Sequence, residues 1–156
     1  MSNQLYKNID IRTVSLGIAV QRATATLPAT ATGNIFVVSL GRILVVSLIG
    51  EVTTAIQNQA CTLAIGTAPT VGTGSTTALG TATSIIAAPI GTHFGANPGA
   101  ATVVDLSTQA GVNVMSTPFV VNPGNITITT SATNTGSVKW DIAYIPLDNS
   151  VSVVAA

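Results

Sequence analysis

Few side chains in this 156-residue chain can do chemistry, and their spacing limits what that chemistry could be. His93 is the single histidine and stands in a Gly/Pro-rich stretch, Ile90-Gly91-Thr92-His93-Phe94-Gly95-Ala96-Asn97-Pro98-Gly99, with no acid beside it in sequence. A metal site needs several His, Cys or carboxylate ligands at workable spacing, so a lone loop histidine reads as a surface residue. A Ser–His–Asp set would have to draw on His93, Asp105 and one of many serines. No nucleophile-elbow pattern accompanies them, and nothing in the sequence brings them together. The carboxylates Asp10, Glu51, Asp105, Asp141 and Asp148 are scattered. Glu51 lies in apolar surroundings that would raise its pKa, but one carboxylate makes no acid–base pair. Gly66-Thr67-Ala68 and Gly72-Thr73-Gly74 are followed by no lysine and sit in no strand–helix unit, so they are not phosphate loops. Asn125-Ile126-Thr127 matches a glycosylation sequon and reads as coincidence, because no signal peptide is expected. The expectation is a protein without enzymatic activity, catalytic residues, metal or cofactor.

Composition narrows the classes further. Only 6% of residues are charged, against roughly a quarter in an ordinary soluble domain, and the net charge is zero. Hydrophobic residues make up 47% and aromatics 4%, with small and β-branched residues filling the difference. That hydrophobicity argues against intrinsic disorder. Five Lys/Arg spread along the chain make no basic patch, so no nucleic-acid partner is expected. A free neutral monomer with so few ionised groups would dissolve poorly, and a subunit buried within an assembly escapes that problem. The single cysteine, Cys61, permits no intrachain disulfide and reads as a small core residue in the strand Cys61–Ile65. The first ten residues contain no apolar run of the signal-peptide kind, so the expectation is a protein made and kept in a cytoplasm, or leaving it by lysis or assembly.

These residues must be positioned by strands. The most apolar stretch, Ile35–Thr54, tempts a membrane reading, but its uninterrupted run is only about 15 residues where a span needs roughly 20. Arg42 and Gly41 also interrupt it. It reads instead as two strands folded back at Leu40-Gly41 into a hairpin, with Ile35, Val37 and Ser39 on one face and Phe36, Val38 and Leu40 on the other. Ile43, Val45, Ser47 and Ile49 then alternate with Leu44, Val46 and Leu48, and Gly50 is a candidate bulge. Apolar residues on both faces predict burial on both sides, one against the domain core and one against another sheet or subunit. Further strands are expected over Thr13–Ala25, Cys61–Ile65, Ala82–Ile86, Val112–Met115 and Phe119–Val121, and a strand or turn over Thr102–Leu106. Gly66–Gly80 reads as a long surface loop with room for a brief strand pair, Pro89–Ala100 as a loop, and Leu147–Ala156 as a tail. The clearest alternation comes last. Ile126 and Ile128 point inward from Asn125–Thr130, with Asn125, Thr127 and Thr129 outward. After a hairpin loop at Ala132–Gly136, Val138, Trp140, Ile142 and Tyr144 share the apolar face of Ser137–Ile145. Trp140 and Tyr144 could form a sugar-stacking platform, as in a carbohydrate-binding module, but their shared phase with Val138 and Ile142 places them in the core. With 24 threonines and no helical period, the fold class is all-β: an antiparallel, jelly-roll-like sandwich over residues 13–156, preceded by an extended N-terminal arm over residues 1–12.

Two blocks carry a family resemblance. One is Asn125-Ile-Thr-Ile-Thr-Thr-Ser-Ala-Thr-Asn-Thr-Gly-Ser-Val-Lys-Trp-Asp-Ile-Ala-Tyr-Ile-Pro-Leu-Asp148. The other joins Ala25-Thr-Leu-Pro-Ala-Thr-Ala-Thr-Gly-Asn-Ile-Phe36 to Gly41-Arg-Ile-Leu-Val-Val-Ser-Leu-Ile-Gly-Glu-Val-Thr-Thr-Ala-Ile56. Together they resemble small virion structural proteins of tailed bacteriophages, of the decoration or cement type found on heads, over about residues 20 to 150. The resemblance implies a β-rich subunit, a homotrimer, that binds the major capsid protein on the outer surface of an assembled head and clamps neighbouring capsomers. The alternative within the same class is a tail-tube, head–tail connector or head-fibre base subunit. No membrane partner is expected. The candidate interface residues are Leu5, Tyr6, Ile9 and Ile11 of the arm, and Phe36, Val38, Leu44, Val46 and Leu48 of the central stretch.

Overall fold

The structure is a computed structural model that describes residues 16–72, 74, 76–108, 111 and 117–156. The arm over residues 1–12, with Leu5, Tyr6, Ile9 and Ile11, and the strand expected over Val112–Met115 lie outside the described residues. The elements of the described chain are twelve β-strands: β1 (Ile18–Thr26), β2 (Thr32–Ser39), β3 (Ile43–Thr54), β4 (Thr62–Pro69), β5 (Thr77–Ala78), β6 (Thr83–Ser84), β7 (His93–Ala96), β8 (Val104–Ser107), β9 (Phe119–Val121), β10 (Gly124–Thr130), β11 (Ser137–Pro146) and β12 (Ser152–Ala155). They form two antiparallel sheets. Sheet A runs β1-β11-β3-β7-β8, with β9 also pairing β3; sheet B runs β12-β2-β10-β4-β5, with β6 also pairing β4. The all-β sandwich expected from the alternation and turn spacing is the observed architecture.

The core lies between the sheets. Ile35, Phe36, Val38, Leu63, Ile65, Ile126 and Ile128 come from sheet B, and Ile43, Val45, Leu48, Val52, Phe94, Val138, Trp140 and Ile142 from sheet A. Phe94 and Trp140 pack with ring centroids 6.4 Å apart, tilted at 39°. Ile85, Val103 and Cys61, from segments between strands, are buried in the same core.

The central stretch departs from the hairpin expected of it. β2 and β3 belong to different sheets, so Leu40-Gly41 is an arch across the sandwich rather than a hairpin turn. Each strand then needs only one apolar face for the shared core. The second apolar face is explained in part by bulges, which shift the alternation. β2 skips Ile35 between Phe36↔Ile126 and Asn34↔Thr127, so Ile35 and Phe36 are both buried in succession. β3 skips Val46 between Val45↔Tyr144 and Ser47↔Ala143, so Leu48 joins Ile43 and Val45 on the inner face. Gly50 is not a bulge. It pairs with Trp140 on one side and Phe94 on the other, and a Cβ there would lie 2.9 Å from the Trp140 ring. Glycine makes room for the indole.

Other expectations shift for similar reasons. Ala132–Gly136 is also an arch, carrying β10 of sheet B to β11 of sheet A, and the Asn134 side chain accepts a hydrogen bond from the Gly136 amide at 3.0 Å. The expected tail pairs with β2 as edge strand β12. The expected loop at Pro89–Ala100 contains β7, while the brief strand pair allowed for within Gly66–Gly80 is the end of β4 against β5. Thr127 is buried rather than outward, beside Gly66, where a Cβ would crowd it. Among the described residues the first strand begins at Ile18, and Leu16 is exposed; the start expected at Thr13 lies outside the described residues. Arg22 keeps the inward phase opposite Trp140, but its guanidinium leaves at the sheet edge and Nε donates to the Ala156 carbonyl at 3.0 Å. That bond ties the edge of sheet A to the end of β12.

Candidate interaction surface

The outer face of sheet A gathers most of the described groups with surface chemistry. β11 alternates strictly: Val138, Trp140, Ile142 and Tyr144 point in, leaving Lys139, Asp141, Ala143 and Ile145 outward. On β3, Glu51, Ile49 and Leu44 point the same way. The face divides into a polar part and an apolar part.

In the polar part, Lys139 pairs in register with Glu51, and Glu51 with His93; His93 then pairs with Ser107 of β8. Lys139 Nζ lies 2.7 Å from Glu51 Oε2. That contact lowers the Glu51 pKa and raises that of Lys139, opposite to the rise expected for Glu51 from its apolar neighbours in sequence. The partner comes from the next strand, which sequence proximity does not reveal. His93 likewise has an acid as neighbour, supplied by β3 rather than by its own segment. Glu51 is already held by Lys139 in this pairing. Asp105 accepts a hydrogen bond from Asn97 Nδ2 at 2.8 Å and pairs with Gly95, two positions along from the His93–Ser107 pair on the same face of the sheet. Next to Lys139, an open hollow of about 360 Å³ is lined by Gln21, Arg22, Ala23, Thr24, Lys139 and Asp141. Groups of three or more His, Cys, Asp or Glu able to hold a metal ion are absent among the described residues.

The apolar part lies at the opposite end of the same strands. Leu44 pairs with Val120 of β9 on one side and with Ile145 of β11 on the other, so three outward apolar side chains form a row across three strands. Val120 is 54% exposed, and Ile145 and Leu147 are also exposed. Leu40, 75% exposed, stands in the arch that leads into β3 with φ +65°, a left-handed conformation that costs a leucine about 1 kcal/mol or more. The arch is fixed from the side. The Arg42 amide donates to Asp148 Oδ2 at 2.7 Å, Arg42 Nε to the same oxygen at 3.0 Å, and Arg42 Nη2 to Oδ1 at 2.9 Å. The bidentate guanidinium lowers the Asp148 pKa to about 2 and raises that of Arg42. Gly41 allows this approach, since a Cβ there would lie 2.7 Å from Asp148 Cβ.

The candidate interface residues therefore separate. Phe36, Val38 and Leu48 are fully buried in the chain's own core and offer nothing to a partner. Leu44 and Val46 are half-buried on the outer side of β3, one in the row and one in the bulge beside it. Val120, Ile145 and Leu147 were not singled out from sequence. The signal was present in the alternation of β11, whose polar phase ends in Ile145, but pairing with Val120 is set by topology. Trp140 and Tyr144 are 1% and 4% exposed, so neither presents a stacking face. No helix of the described chain is long and apolar enough to cross a membrane. Comparison with protein-family models, characterised proteins and solved structures finds no significant match.

Proposed function

We propose that this chain is a non-enzymatic virion subunit that decorates the head of a tailed bacteriophage, as a homotrimer bound to the major capsid protein. The observation that carries the reading is the uncovered apolar row Val120–Leu44–Ile145 on a chain with almost no charge to keep it dispersed. Apolar surface rimmed by polar groups marks protein contacts, and a neutral Thr-rich exterior suits a subunit whose contacts must be insensitive to ionic strength. The strand order adds support. Opposing β1-β11-β3-β7 and β2-β10-β4-β5, with the chain crossing between sheets at β1–β2, β2–β3 and β3–β4, is the order two interlocked Greek keys give. We read the sandwich as a jelly roll on that ground, an architecture common among capsid subunits.

The test is a binding assay with purified heads assembled without this protein. Added protein should sediment with heads and raise the temperature at which they release their contents. Binding to isolated tails instead would favour the tail-tube or connector alternative.

A further inference from the structure

The apolar row faces solvent in the described chain, and the segment that precedes it in sequence has matching chemistry. β1 enters sheet A beside β11, with Ile18 opposite Tyr144. The residue before it, Gly17, lies against the Tyr144 backbone, where a Cβ would sit 2.6 Å from the carbonyl oxygen. The described chain thus begins one strand away from Ile145, at the end of the row. Outside it lie fifteen residues, Met1 to Ser15, with Leu5, Tyr6, Ile9 and Ile11 spaced through polar positions.

We propose that this N-terminal segment of one copy lies across the row Val120–Leu44–Ile145 of a second copy, so that exchanged segments hold the assembly together. The inference rests on the reading of the chain as an assembly subunit. Three observations carry it. First is reach: fifteen extended residues span up to about 50 Å, whereas six strands side by side span roughly 25–30 Å, so the segment can leave its own sheet. Second is direction: the line of β1 carries the chain off the end of sheet A past Tyr144, whereas the row runs crosswise to that line. Third is chemistry: Leu5, Tyr6, Ile9 and Ile11 give the segment apolar side chains to set against the row, and the charges nearest the row, Arg42 and Asp148, are already paired with each other.

The test pairs cysteines in the full-length chain on a Cys61→Ala background. Ile9→Cys with Val120→Cys should give interchain disulfides, seen as a ladder on a non-reducing denaturing gel that persists at low protein concentration. A fast-migrating monomer would mean that the segment covers its own subunit, and no cross-link would mean that it does not bind the row; either overturns the proposal. In parallel, Tyr6→Ser/Ile9→Ser and, separately, Val120→Asp should each weaken self-association at least tenfold in sedimentation equilibrium, with the native β-sheet circular dichroism spectrum retained. An oligomer that survives these substitutions sinks the exchange while leaving the assembly reading intact. A wild-type chain that is monomeric at all concentrations and does not bind heads sinks both.

Discussion

Replacing Gly50 by alanine tests the packing at the centre of sheet A. The added methyl would lie 2.9 and 3.0 Å from two ring carbons of Trp140 and 3.0 Å from Val138 Cγ1. Comfortable carbon contacts are about 3.5–4.0 Å, so the indole must move by more than half an ångström. It has little freedom to do so, being fully buried and packed on Phe94 at 6.4 Å. Overpacking of this kind costs about 1–3 kcal/mol. The Gly50 backbone does not have positive φ, so alanine recovers roughly 0.5–1 kcal/mol of backbone entropy. The net loss is about 1–2 kcal/mol, or a fall of about 3–6 °C in Tm for a domain of this size. Urea denaturation followed by circular dichroism of the β-sheet signal, a probe that survives loss of the single tryptophan, measures it. The cause is checked with Trp140→Phe, which removes the crowded part of the ring: the double variant should be less destabilised than the two single variants together, by about 0.5 kcal/mol or more. A Gly50→Ala protein as stable as the wild type, or strict additivity in the cycle, would refute the account of why glycine stands there.

Further outcomes follow from other parts of the molecule. Phe36→Ala should cost about 3–5 kcal/mol, because Phe36 is wholly buried between the sheets; a loss below 1 kcal/mol in denaturant titration would place it outside the core. Cys61 should resist a water-soluble thiol reagent in the native protein and react fully in urea, since it is buried and unpaired; rapid native labelling would contradict its position. The Arg42–Asp148 clamp should respond to acid. The folded-state pKa of Asp148 is lowered to about 2, so its contribution to stability is present above the unfolded carboxylate pKa of roughly 3.9 and is lost as pH falls through about 2. Asp148→Asn should remove that acid-side dependence and loosen the Leu40 arch, read as faster amide exchange at Arg42. Unchanged exchange at that amide would show that the clamp does not hold the arch.

Much of the fold is legible in the sequence because alternation is a local property. The inward set Val138, Trp140, Ile142 and Tyr144 is buried as its phase requires, and β9 falls on Phe119–Val121 as expected. What is not legible is where consecutive strands go. Leu40-Gly41 and Ala132–Gly136 carry ordinary turn residues, and nothing local distinguishes a hairpin from an arch between sheets. The bulges at Ile35 and Val46 depend on partner strands more than 75 residues away in sequence, so strict alternation misassigned the faces of Ile35 and Leu48. For the same reason the candidate interface was only partly visible. Leu44 and Val46 could be picked out by their apolar phase, whereas Phe36, Val38 and Leu48 share that chemistry and belong to the core. Glu51 shows the limit for electrostatics: its sequence neighbours are apolar, yet its cation Lys139 arrives from β11, 88 positions on.

The central claim is that this chain is a structural part of a phage head. Quantitative mass spectrometry of purified virions, with heads and tails separated before digestion, tests it most directly. The account predicts that the protein is found with the heads, in copy number comparable to the capsomers and in multiples of three. Its absence from purified heads, or its recovery with tails alone, would contradict that claim.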